Sequence, residues 1–198
     1  RTFAEDDVRS DANLDRILPL IRRTHVEAYR HLRGPVCAFW PFRVCRDYGF
    51  FLEEQGGRMA SEVDRLRAVN ERLEVIVGPI EVVLGHNDLL AGNFIDDGAR
   101  IWLIDWEHAG LSSPLFDLAN LASNNSLSDA QENWLLENYF ERPADEELQR
   151  RFRAMKCASI LREAMWSMVS ESTSTLDFDY AAYADQYMAR FEAEYEGL

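Results

Sequence analysis

The chain has 198 residues, 47% apolar and 28% charged, which suits one ordinary domain or one lobe of a larger enzyme and excludes a disordered, collagenous or coiled-coil protein. Its 35 acids outnumber 21 bases, and a net charge of −14 repels phosphate backbones, so nucleic acid is excluded as a general partner. Cys37, Cys45 and Cys157 lack CxxC spacing, no run approaches the ~20 apolar residues of a membrane span, and the first residues form no apolar signal core. Together these predict a reduced, cytoplasmic chain with no disulfide framework, zinc site or membrane span.

Residues 1–79 read as helical. Asp11-Ala12-Asn13 offers a cap, and Leu14, Ile17, Leu18, Ile21 and Val26 follow at three- and four-residue steps. Gly34-Pro35 breaks the run. Six aromatics then crowd residues 39–51, which predicts helices packed on the core, with a subunit contact in a homo-dimer as the alternative. After Gly56-Gly57, Met59 to Leu73 places Val63, Leu66, Val69 and Leu73 on one helix face, and Gly78-Pro79 ends it. Ile80 to Leu84 is a short β-like run. Asp96-Asp97-Gly98 between two apolar runs signals a hairpin. Beyond Pro114 the spacing predicts helices over 115–124, 128–140, 144–172 and 178–196. The expected fold class is α+β: a mostly helical unit with a small β-hairpin insertion carrying a polar loop.

That insertion holds the chemistry. It reads His86-Asn87-Asp88-Leu89-Leu90-Ala91-Gly92-Asn93, and after the hairpin comes Ile104-Asp105-Trp106-Glu107. A hairpin turning at Asp97-Gly98 is expected to bring Asn93 and Asp105 together across the ladder, close to Asp88. Two hard oxygen donors beside a carboxylate base suit magnesium-assisted phosphoryl transfer, which needs positioning and charge neutralisation more than covalent help. A carboxylate such as Asp88 can orient an attacking hydroxyl and accept its proton. Taken singly, each of these residues equally suits a turn or cap, and His86 alone reads as a satisfied core histidine.

The pattern His-x-Asp-x-x-x-x-Asn followed by Asp-Trp-Glu, with Ser113-Pro114-Leu115-Phe116-Asp117-Leu118-Ala119-Asn120, resembles the choline/ethanolamine kinase family and, more loosely, the aminoglycoside phosphotransferases. The resemblance covers about residues 80–170 and implies the C-terminal lobe of a protein-kinase-like fold. It implies Asp88 as catalytic base, His86 as a catalytic-loop residue whose ring bonds nearby backbone, Asn93 and Asp105 as Mg2+ and cofactor ligands, and Asp117 as a brace. It also implies an N-terminal lobe that holds ATP through a glycine loop and a strand lysine. Neither is found: the sole lysine is Lys156, in a helical run after the motifs, and Gly56-Gly57 lies between helices. The expectation is therefore a phosphotransfer lobe spanning 1–198 without its nucleotide lobe, inactive alone.

The resemblance further implies a small cationic alcohol as substrate. Trp166 matches one tryptophan of the family's choline cage, whereas Glu163 stands at the second and His108 where an aromatic commonly follows. A carboxylate at Glu163 suits a cation that keeps N–H donors, such as ethanolamine. On periodicity alone Trp166 is core filler, and Glu107 orients either the substrate or a metal-bound water. Two other readings compete: an aminoglycoside-type phosphotransferase, whose polycationic substrates also suit the acidic charge, and a non-catalytic binding lobe.

Overall fold

The computed structural model describes residues 1–198. Helices α1 (Glu5–Val8) and α2 (Asp11–Glu27) lead into α3 (Pro41–Gln55) and α4 (Val63–Val77). Four three-residue strands follow: β1 (Val83–Gly85), β2 (Phe94–Asp96), β3 (Ile101–Leu103) and β4 (Gly110–Ser112). Helices α5 (Pro114–Asn124), α6 (Asp129–Phe140), α7 (Glu146–Thr173) and α8 (Tyr180–Glu196) complete the chain.

Local signals explain most boundaries. Pro41 and Pro114 open α3 and α5 at the first turn, where a missing N–H goes unnoticed. Ser113 accepts from the Leu115 N–H, Ser128 and Gln131 form a reciprocal cap on α6, and Asp145 accepts from the Leu148 N–H. Gly56 closes α3 in the left-handed region at φ 63°. The cap expected at Asp11 shifts by one residue: Ser10 is the N-cap and makes no side-chain bond, while Asp11 lies inside the first turn.

One contiguous apolar core of 42 residues makes the chain a single unit. Helix α7 runs through it, packed against α3, α4, α5 and α8. Every residue from Ala154 to Met165 is buried. A helix covered on all sides is ordinarily apolar throughout. Here it carries Lys156, Arg162 and Glu163, and each finds an opposite charge. Lys156, the sole lysine, is clamped between Glu132 of α6 and Glu194 of α8, both at 2.8 Å. Most of the aromatics at 39–51 pack on this core as expected, and only Phe50 is exposed.

The insertion differs from a lone hairpin. Strands β2 and β3 form the expected antiparallel pair, with Phe94 opposite Leu103 and Asp96 opposite Ile101. Strand β1 pairs with β4, Leu84 opposite Leu111, as a second ribbon. Three-residue strands fall below the length at which alternation is readable, which is why β4 leaves no mark in the sequence. The polar loop 86–93 runs from one ribbon to the other. Two backbone bonds, from the Phe3 N–H to the Phe94 carbonyl and from the Asp96 N–H to the Arg1 carbonyl, each 2.9 Å, line the outer edge of β2. On the other ribbon, the Leu111 N–H donates to the Cys37 carbonyl at 2.9 Å.

Candidate active site

The loop is fixed from beneath. Asp117, on the first turn of α5 and 1% exposed, accepts from the backbone N–H of His86 at 2.8 Å and of Asn87 at 2.7 Å. Its Oδ2 also bonds the His25 ring Nε2 at 2.8 Å, and the other ring nitrogen of His25 meets the Tyr139 hydroxyl at 2.7 Å. Burial alone raises a carboxyl pKa; here the His25 bond and the two amide donors outweigh it and hold Asp117 below the usual range. Asn120 and Asn125 hold the next stretch, accepting from the Leu89 N–H and donating to the Leu89 carbonyl.

His86 is fully buried and its ring is spent on backbone. Nε2 meets the Ile104 carbonyl at 2.8 Å, and Nδ1 meets the Asp88 N–H at 3.3 Å. A carbonyl only accepts and an amide only donates, so Nε2 donates to Ile104 and Nδ1 accepts from Asp88. The ring thereby ties the loop to the strand end before Asp105, and the Trp106 indole packs edge-on at 4.8 Å.

Asp88 is half-buried. The Asn93 Nδ2 donates to its backbone carbonyl at 2.8 Å and to its Oδ2 at 3.2 Å. Burial raises its carboxyl pKa above the ordinary value, against the pull of Arg162 and His108. The expected meeting of Asn93 with Asp105 is offset by one residue. The ladder sets Asn93 against Ile104, whose N–H donates to the Asn93 carbonyl at 3.0 Å. Asp105 follows with φ 62° and an exposed side chain. Asn87, on the opposite flank of the loop, has φ 66°. Left-handed non-glycine residues are uncommon, and Asn and Asp bear the conformation best.

An amide oxygen and a carboxylate are donor types that a magnesium ion takes. The Asn93 amide nitrogen is committed to Asp88, which leaves Oδ1 without a protein partner, and the Asp105 carboxylate is exposed. Magnesium asks for only one or two protein oxygens and takes the rest from phosphates and water. No group of three or more His, Cys, Asp or Glu side chains suited to a metal occurs anywhere in the fold.

Glu107 and His108 lie on the outer side of the same segment. Glu107 is largely exposed and approaches the His108 ring at 3.5 Å, while the His108 carbonyl accepts from Asn87 at 2.9 Å. Glu163 and Trp166 come from α7. Glu163 is not a free carboxylate: Arg162 Nη2 bonds one oxygen at 2.5 Å and the Tyr183 hydroxyl donates to the other at 3.0 Å. Trp166 is 36% exposed rather than core filler and packs edge-on against Tyr180 and Tyr183.

His25, Tyr139, Asn125 and Arg162 escaped the sequence reading. His25 continues the buried face of Leu14, Ile17, Leu18 and Ile21, and a polar residue in such a stripe was the available signal. Arg162 carried no signal, since helix α7 gives no hint of being enclosed on every side.

Residues 51–156, more than half of the chain, match the family described as Phosphotransferase enzyme family (APH). The chain belongs to this family. It is 36% identical to the protein LicA of Haemophilus influenzae over 103 residues, 51% of this chain and 30% of that protein. It is 31% identical to an ethanolamine kinase of Drosophila melanogaster over 159 residues, 68% of this chain and 30% of that protein. The chain thus spans about a third of the length of these curated relatives. Among solved structures it is similar to a choline/ethanolamine kinase family protein of Mesorhizobium loti, with a TM-score of 0.84 and 24% identity over 98% of this chain and 66% of that one. That likeness matches the expected helical lobe of a protein-kinase-like fold. No helix is long and apolar enough to cross a membrane.

Proposed function

We propose that this chain is the catalytic and substrate-binding lobe of an ATP-dependent phosphotransferase acting on the hydroxyl of a small amino alcohol of the choline or ethanolamine type. The observation that carries the reading is the half-buried Asp88, fixed by Asn93 on one side and by the Asp117-braced loop on the other. In this reading Asp88 orients the alcohol and accepts its proton. His86 positions the loop, and Asn93 and Asp105 hold the magnesium, which when bound neutralises charge on the phosphate oxygens. Glu107, His108, Glu163 and Trp166 border the acceptor side. The relatives named ethanolamine kinase favour an amino alcohol over an aminoglycoside.

The strand lysine and glycine loop expected to hold ATP are not among these residues, and Lys156 is committed to Glu132 and Glu194. The 198-residue chain by itself is therefore expected to give no turnover. The test is transfer from Mg·ATP to ethanolamine, choline and kanamycin by the full-length gene product, with Asp88→Asn as control. Transfer to an amino alcohol that Asp88→Asn abolishes supports the reading. Transfer to kanamycin alone, or to none of the three, overturns it. Self-association of the lobe, read by light scattering, is supported by exposed Trp102, Ile104, Trp106 and Leu111 around the hairpin.

A further inference from the structure

Arg162 and Glu163 are consecutive on α7, yet their side chains bond to one another with side-chain exposures of only 5% and 10%. Consecutive helical residues point about 100° apart. The contact exists because both chains bend into one enclosed space. Burying such a pair carries a desolvation penalty that an apolar pair of similar volume avoids. The pair is also incompletely satisfied, because the buried Arg162 Nε has no hydrogen-bond partner.

Its surroundings are aromatic. Trp166 lies one turn beyond Glu163, 6.3 Å from the Tyr183 ring and 5.8 Å from the Tyr180 ring. Phe178 is 5.5 Å from Tyr183 and 4.9 Å from Tyr180. Trp166 and Phe178 are 36% and 52% exposed, so ring surface is open to a ligand. Glu163 is engaged by Arg162 and Tyr183, and the Tyr180 hydroxyl bonds Ser174 at 2.9 Å.

We propose that Arg162 is a specificity-determining residue: by engaging Glu163 it withholds the carboxylate beside the Trp166–Tyr183 group, so the site selects a fully alkylated ammonium over a primary one. The proposal rests on the amino-alcohol reading, since it concerns the positive end of that acceptor. A tetraalkylammonium has no N–H and is satisfied by aromatic faces. A primary ammonium brings three donors, which aromatic faces alone leave without acceptors. Relieved of Arg162, Glu163 accepts those donors and the preference disappears.

Calorimetric titration of the protein with tetramethylammonium and methylammonium chlorides, without ATP, tests this, with the Trp166 indole N–H resonance reporting the location. The unaltered protein is expected to bind tetramethylammonium about tenfold more tightly, by ring contact against unpaired donors. Arg162→Met brings the ratio to one or below. Glu163→Gln keeps the original order, and so does the double variant R162M/E163Q, which leaves no unpaired buried charge and guards against misfolding of the single one. Methylammonium binding as tightly as tetramethylammonium in the unaltered protein overturns the proposal, as does a Trp166 resonance that neither cation moves, or an Arg162→Met variant that keeps the original ratio. No turnover is measured, so a failure of the kinase reading is seen separately.

Discussion

The His25 ring of α2 and the Asp117 carboxylate of α5 meet at 2.8 Å, and through that bond the first long helix holds the loop that carries Asp88. Asp117→Ala would leave His25 and the amides of His86 and Asn87 without their shared acceptor. The expected loss is about 3–5 kcal/mol, the range for breaking a buried charged network. Urea unfolding of the variant measures it.

The same carboxylate sets an acid limit on stability. Its pKa is lowered on folding, so its contribution is fully present above the unfolded value near 3.9 and is lost as pH falls from there through the folded value. Unfolding free energy is expected to drop below about pH 4, and to drop less steeply in Asp117→Asn, which has no proton to take up. Denaturant midpoints across pH 3 to 6 compare the two.

Asp88 predicts an acid limb in activity. Burial raises its pKa, so the ionised base is lost at a pH above the ordinary carboxylate range near 3.9. The kcat/KM of the full-length enzyme should fall as pH drops toward that range. Asp88→Asn should reduce kcat by at least ~10²-fold, the low end for a general base, while the far-UV spectrum is unchanged.

How much of this was legible in the sequence follows from element length and from what each residue needs. The hairpin was readable because Asp97-Gly98 supplies a turn between two apolar runs. The partner strand β4 was not, since Gly110 to Ser112 is too short for a pattern and its glycine answers to a distant backbone. Asp88, Asn93 and Asp105 stood out as polar residues among apolar flanks. Their register did not, because a ladder shifted by one residue changes which side chain faces which, and the sequence leaves that choice to the turn. The pairing of Glu163 was hidden for a different reason: its partner is its own chain neighbour, an arrangement ordinary helix geometry argues against.

Gly110 illustrates the distant backbone. A Cβ added there would lie 2.6 Å from the Cys37 carbonyl oxygen, closer than side-chain carbons approach backbone oxygen. Gly110→Ala should force the 37–39 segment off β4 and destabilise by about 1–3 kcal/mol, the usual range for overpacking. At Gly85 the added carbon would meet the Asn87 Oδ1 at 2.8 Å, so Gly85→Ala should reduce turnover as well as stability. Thermal melts and rates separate the two variants.

Lys156→Met removes the cation between Glu132 and Glu194 and should cost about 3–5 kcal/mol, whereas Lys156→Met with Glu132→Leu should recover part of that loss. Folding stability of the two variants and the parent, measured at one pH, tests the difference.

The bonds that hold the loop reach from His25 to Tyr139, with the loop itself in between. During synthesis the helix bearing His25 leaves the ribosome long before its partners exist. The loop cannot take its final shape until the chain through Tyr139 has emerged. Nascent chains released short of that point should therefore lack the arrangement that fixes Asp88, however complete their hairpin.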